Sequence, residues 1–159
     1  MISCSVPGRG IIEISHLVCD VNGTLTRDGI LIPGVKDALE KLSKQLQIHA
    51  VSADSLGRLS DLEVELEDVL TSIEHIAPNG EAEQKVEFVQ KLGSSSVAAI
   101  GQGTNDRLML KSAALGICVV SPEGTAVETM LNADILVPDI LSAFELFLIP
   151  DRLKATLRQ

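Results

Sequence analysis

Short apolar runs alternate along the chain with longer stretches in which apolar residues recur every three to four positions. The runs at 16–19, 48–51, 73–77, 97–100, 117–120 and 135–137 are the strand candidates, since they are brief and bounded by polar or glycine-containing segments. Between them, 34–46 sets Val35, Ala38, Leu39 and Leu42 at helical spacing, and 81–92 does the same with Val86, Val89 and Leu92. Further helices are expected at 56–66, 105–114, 124–131, 141–148 and 150–157. The acidic run 61–68 reads as a solvated helix face. Ahead of all this, alternation in 2–6 and 11–14 around Pro7-Gly8-Arg9-Gly10 predicts a hairpin, expected to decorate a sheet edge.

Strand and helix therefore alternate, and the strands are largely apolar on both faces. That combination predicts an α/β fold, a mainly parallel sheet covered by helices on each side. In such folds ligands bind beyond the carboxyl ends of the strands, where the strand order reverses, so polar residues just after strands are the first candidates for function. The 159 residues contain no repeat, low-complexity tract or linker. One domain over 1–159 is expected, with 1–14 as the hairpin and 15–159 as the core.

Composition narrows the function classes. A formal net charge of −9, with no Trp, no Tyr and three Phe, leaves neither a basic stripe for phosphate backbones nor aromatic platforms for bases, so no nucleic-acid partner is expected. Apolar runs fall far short of the roughly 20 residues a bilayer span needs, so no membrane segment is expected either. The first ten residues lack the basic region, apolar core and small-residue cleavage site of a secretion signal. Cys4, Cys19 and Cys118 are scattered among apolar neighbours and resemble buried thiols of a reducing compartment. The expected location is the cytoplasm. His16, His49 and His75 show no metal-ligand spacing and are assigned no chemistry.

Polar clusters follow the predicted strands: Asp20-Val21-Asn22-Gly23-Thr24, then Ser52-Ala53-Asp54, then Lys85 on a helix, and finally Gly101-Gln102-Gly103-Thr104-Asn105-Asp106. Taken alone, the first is also an ordinary turn sequence, and Gly101-x-Gly103 could open a dinucleotide loop were Asp106 a third glycine. The four in this order resemble the haloacid-dehalogenase superfamily, whose signature is an Asp-x-Asp-Gly-Thr loop after a buried strand. The phosphorylation domain of P-type ATPases is more similar still. It carries Asp-Lys-Thr-Gly-Thr-Leu-Thr where this chain has Asp20 to Thr26, and Gly-Asp-Gly-x-Asn-Asp where it has Gly101 to Asp106.

The resemblance spans about positions 16–134 and implies a Rossmann-like fold and a set of roles. Asp20 would be a nucleophile forming an aspartyl-phosphate. Mg2+ would be held by Asp20, Asp106 and the backbone carbonyl of Asn22. Ser52, Ala53, Gly23 and Thr24 would cradle the phosphoryl group, and Lys85 would neutralise its charge. Asn105 would orient Asp106 or Lys85, while Asp54 matches an acidic ATPase position.

Two departures bear on turnover. Asn22 stands where many phosphatases of the superfamily carry the general acid/base, and a carboxamide shuttles no proton near neutral pH. Gln102 replaces a further acid, removing negative charge near the cation. With only 27–32 between the first motif and the next helix region, no inserted nucleotide-binding domain is expected, nor a cap after the second motif. The resemblance thus implies a capless, magnesium-dependent phosphatase or phosphotransferase, slow in turnover, acting on a phosphorylated small molecule or protein, with homo-oligomerisation expected as in small capless relatives. The alternative is a catalytically attenuated module that binds phosphate and metal and regulates a partner.

Overall fold

A computed structural model describes residues 1–53 and 59–159. Ten strands and seven α-helices are assigned among these residues, so Asp54 and the start of the helix expected at 56–66 lie outside what is described. The chain opens with the antiparallel pair β1 (Ile2–Val6) and β2 (Gly10–Ile14), followed by β3 (His16–Asp20) and a small hairpin of β4 (Thr26–Arg27) and β5 (Ile30–Leu31). Then come α1 (Val35–Ser43), β6 (Gln47–Ser52), α2 (Leu59–Leu66), β7 (Ser72–His75), α3 (Glu81–Leu92) and β8 (Val97–Gly101). The remainder is α4 (Arg107–Ser112), β9 (Leu115–Val119), α5 (Val127–Leu131), β10 (Ile135–Val137), α6 (Ile140–Leu148) and α7 (Pro150–Leu157).

Six strands form one parallel sheet in the order β10-β9-β8-β3-β6-β7. The chain moves outward from β3 to β6 and β7, then crosses back to β8 and continues the other way to β9 and β10. The strand order thus reverses between β3 and β8, whose carboxyl ends border the crevice where such folds place ligands.

Strand alternation sorts the core into two layers. Leu17, Cys19, Ile48, Ala50, Ala98 and Ile100 face the side covered by α1, α2, α6 and α7, while Val18, Val51, Val97, Ala99 and Cys118 face α3 and α4. Because both faces are covered, β3, β8 and β9 are almost wholly buried and read as continuous apolar runs. Among the described residues no helix is long and apolar enough to cross a membrane, and no cap domain interrupts the core elements.

Several elements differ from expectation. The N-terminal hairpin does not extend the main sheet: it forms its own two-stranded sheet, and its inward residues Ile2, Cys4, Val6, Ile12 and Ile14 join the same core cluster as Leu153 and Leu157 of α7. The α4 region begins as a 3-10 turn at Thr104–Asp106 rather than as α-helix. On α3 the buried stripe is Ala82, Lys85 and Val89, with Val86 only half-buried, so a lysine occupies a position on the helix's core-facing side.

Candidate active site

Three charged side chains meet at the carboxyl ends of β3 and β8. Lys85 Nζ donates to Asp20 Oδ1 at 2.6 Å and to Asp106 Oδ1 at 2.7 Å. Lys85 and Asp106 are fully buried and Asp20 nearly so, at 0, 0 and 6% exposure, which makes this a desolvated cluster rather than a surface pairing. Ionised, the three carry one net negative charge. A buried ion pair broken on one side leaves an uncompensated charge, so the residues depend on one another.

Local structure holds each member. Asp20 ends β3, and the loop after it winds around the Val21 carbonyl, which accepts N–H groups from Thr24, Leu25 and Thr26 at 3.2, 2.9 and 3.0 Å and the Thr26 hydroxyl at 3.2 Å. This brings the Thr24 hydroxyl back to donate to Asp20 Oδ2 at 3.0 Å. Asp106 closes the 3-10 turn: its Oδ2 accepts from the Gln102 and Gly103 N–H groups, both at 2.9 Å. A Cβ at Gly101 would fall 2.5 Å from Asp106 Cγ, so only glycine at the tip of β8 lets the carboxylate lie there.

Burial and the nearby Asp106 push the Asp20 carboxyl up, to about 6, against the opposing pull of Lys85 and Thr24. Burial works against the Lys85 ammonium, yet Asp20 and Asp106 together outweigh it and hold the group protonated above its ordinary range. Burial, with Asp20 second, raises Cys19, and burial, with Asp106 second, lifts Cys118 to about 11, so both remain thiols and neither competes as a nucleophile.

The other expected residues are placed as follows. Ser52 ends β6 and is buried beside the neighbouring strand β3, with Ala53 half-buried after it. Asn22 and Gly23 lie in the loop after Asp20, and the Gln102 side chain reaches them: its Nε2 donates to the Asn22 carbonyl at 3.1 Å. Asn105 does not bond Asp106 or Lys85 directly. Its Nδ2 donates to Glu81 Oε2 at 2.6 Å, tying the 3-10 turn to the first turn of α3, four residues before Lys85. Glu81 was not singled out in the sequence, although it opens the helix that carries Lys85.

The donor set suits a hard divalent cation. Among the described residues no three His, Cys, Asp or Glu side chains gather into a ready metal cage. What the carboxyl ends of β3 and β8 offer is carboxylate oxygen from Asp20 and Asp106 and main-chain oxygen from Asn22. An all-oxygen partial shell completed by water and substrate oxygen is the pattern Mg2+ favours.

No family model matches the sequence. The chain is 51% identical over 65 residues, 41% of its own length and 70% of the other's, to the uncharacterized protein MJ0073 of Methanocaldococcus jannaschii. It belongs to the same family as that protein. Its fold is similar to that of the 3-deoxy-D-manno-octulosonate 8-phosphate phosphatase of Moraxella catarrhalis, solved with magnesium, phosphate and KDO, with a TM-score of 0.64, 22% identity, and 91% of this chain and 94% of that one covered. The cobalt-bound Haemophilus influenzae phosphatase gives a TM-score of 0.67 at 13% identity, covering 92% and 94%. A haloacid dehalogenase-like hydrolase of Streptococcus pneumoniae gives 0.65 at 14%, covering 84% and 98%. At these identities the likeness is one of fold, and that fold is the haloacid-dehalogenase type.

Proposed function

We propose that this chain is a divalent-metal-dependent phosphatase or phosphotransferase working through an aspartyl-phosphate on Asp20. The observation that carries the reading is the buried Asp20–Lys85–Asp106 cluster, with contacts of 2.6 and 2.7 Å, at the point where the strand order reverses. Solved proteins of the same fold include phosphatases with magnesium or cobalt bound. The likeness of 20–26 and 101–106 to the phosphorylation domain of P-type ATPases supports a durable phosphoenzyme.

In the first step an Asp20 carboxylate oxygen attacks phosphorus and the bond from phosphorus to the leaving oxygen breaks, leaving an acyl phosphate on Asp20. Lys85, already in contact with Asp20, offsets charge on the transferring group, and Ser52, Ala53, Gly23 and Thr24 line its seat. A divalent cation bound through Asp20, Asp106 and the Asn22 carbonyl would supply electrostatic stabilisation of the phosphoryl oxygens. In the second step water attacks the acyl phosphate, regenerating the carboxylate and releasing phosphate. Asn22 neither donates a proton to the leaving group nor takes one from that water, so both steps lack the roughly 100- to 10,000-fold acid/base contribution.

The test is incubation with acetyl phosphate and Mg2+, followed by acid quench. An acid-stable, hydroxylamine-sensitive label that disappears in Asp20→Asn supports the reading. No label with acetyl phosphate, p-nitrophenyl phosphate or other donors overturns it. The Gln102 contact with the Asn22 carbonyl, where cation binding is expected, favours the second reading, a phosphate- and metal-binding regulatory module. Calorimetry separates the two: magnesium-dependent phosphate binding without turnover supports the module, and multiple turnover removes it. The uncapped site suits phosphorylated small molecules or proteins, or a pocket completed by another copy of the chain.

A further inference from the structure

Beyond the residues named so far, a third carboxylate reaches the loop after Asp20. It belongs to Glu123, in the turn that follows β9 at the same edge of the sheet. That turn is tied down by its own hydrogen bonds: the Ser121 N–H donates to Thr125 Oγ1 at 2.9 Å, the Thr125 hydroxyl to the Val119 carbonyl at 2.9 Å, and the Glu123 N–H to Ser121 Oγ at 3.2 Å.

The side chain is aimed as well. Glu123 Oε1 accepts the Asp28 N–H at 2.7 Å, at the tip of the β4–β5 hairpin. Its other oxygen is thereby brought over Gly23, the residue next to the Asn22 carbonyl. A Cβ built on Gly23 would lie 3.3 Å from Glu123 Oε2 and 2.3 Å from Gln102 Nε2, so both side chains close on the same side of the loop. The absence of a Cβ and a φ of +77° at position 23 are what allow them in.

This juxtaposition answers the charge deficit left by Gln102. A neutral carboxamide touches the Asn22 carbonyl at 3.1 Å, and a carboxylate stands beside that carboxamide. Asp106 is heavily committed elsewhere, its Oδ2 to two N–H groups and its Oδ1 to Lys85. Asp20, Asp106 and Lys85 sum to one negative charge, and Glu123 raises the total to two, matching a divalent ion. We infer that Glu123 is a positioning residue for the hydrated divalent cation, supplying at the Asn22–Gly23 rim the negative charge that Gln102 lacks. The inference rests on the cation-dependent reading above and adds to it a residue from a different loop.

The experiment titrates Mg2+ alone into the full chain by calorimetry. Glu123→Gln is expected to weaken Mg2+ binding about 10-fold, the lower end of what outer-shell partners contribute to metal affinity. Glu13→Gln, an exposed carboxylate on β2 of the separate N-terminal hairpin, removes the same overall charge and is expected to leave the affinity unchanged. Gln102→Asp alone is expected to tighten Mg2+ binding, and Glu123→Gln to cost less in that background than in the wild type, a non-additivity that a residue merely pinning the hairpin would not show. If Glu123→Gln binds Mg2+ as the wild type does, or if Glu13→Gln weakens it equally, this inference alone is overturned. A wild type that takes up no Mg2+ overturns the inference and the cation-dependent reading together.

Discussion

Lys85 reaches both Asp20 and Asp106 from a helix position that faces the core, yet its downward pull on the Asp20 carboxyl is outweighed by burial and by Asp106. Burial first and Asp106 second raise that carboxyl from the ordinary 3.8 to about 6, so between these values the folded chain holds a proton that the unfolded chain releases. The corresponding stability is full below 3.8 and is lost as pH rises through about 6. In the metal-free chain the Asp20 carboxyl signal, followed by NMR on carboxyl-labelled aspartate, should titrate near pH 6. Asp106→Asn removes the like charge and leaves Lys85 to Asp20, so the midpoint should move down. At position 22, Asn22→Asp should accelerate loss of the phosphoenzyme by roughly 100-fold or more, read as decay of the labelled protein after the donor is removed. The residues at or shortly past strand ends, Asp20, Ser52 and Asp106, were legible because the sequence order of polar clusters mirrors their placement at one sheet edge. Glu123 met the same criterion, a polar residue just past a strand, but its significance depends on Asp28 and Gly23, which are distant in sequence and adjacent only after folding.

At the scale of elements, close approach between α4 and β9 sets part of the site's frame. A Cβ on Gly116 would stand 2.4 Å from the Leu110 carbonyl oxygen, a backbone atom that cannot swing aside. Gly116→Ala should therefore destabilise the fold by about 1–3 kcal/mol, measured by urea denaturation, as an overpacked core does. It acts through α4, the helix that continues directly from Asp106. The parallel strands were readable from their apolar runs because both faces are buried. Two features escaped that pattern for physical reasons. The β4–β5 hairpin has two residues per strand, too few to show a period, and its turn depends on Asp28 at a φ of +51°. The stretch 104–106 forms a 3-10 turn because the Asp106 carboxylate folds back onto the Gln102 and Gly103 N–H groups, an arrangement that helical periodicity does not signal.

For the molecule as a whole, the fold rests on two apolar layers around the sheet and a terminal hairpin packed against α7. The lysine between the two aspartates is the feature with the widest reach. An anionic pocket with its own permanent counter-charge is electrostatically settled before any ion arrives, unlike small domains whose ligands repel one another until a metal joins them. Exhaustive treatment with EDTA should therefore leave the far-ultraviolet circular dichroism and the cooperative thermal transition in place while phosphoryl transfer stops. Activity should return on adding Mg2+ back without any refolding step. Such a chain would ride out magnesium starvation as an intact but idle scaffold.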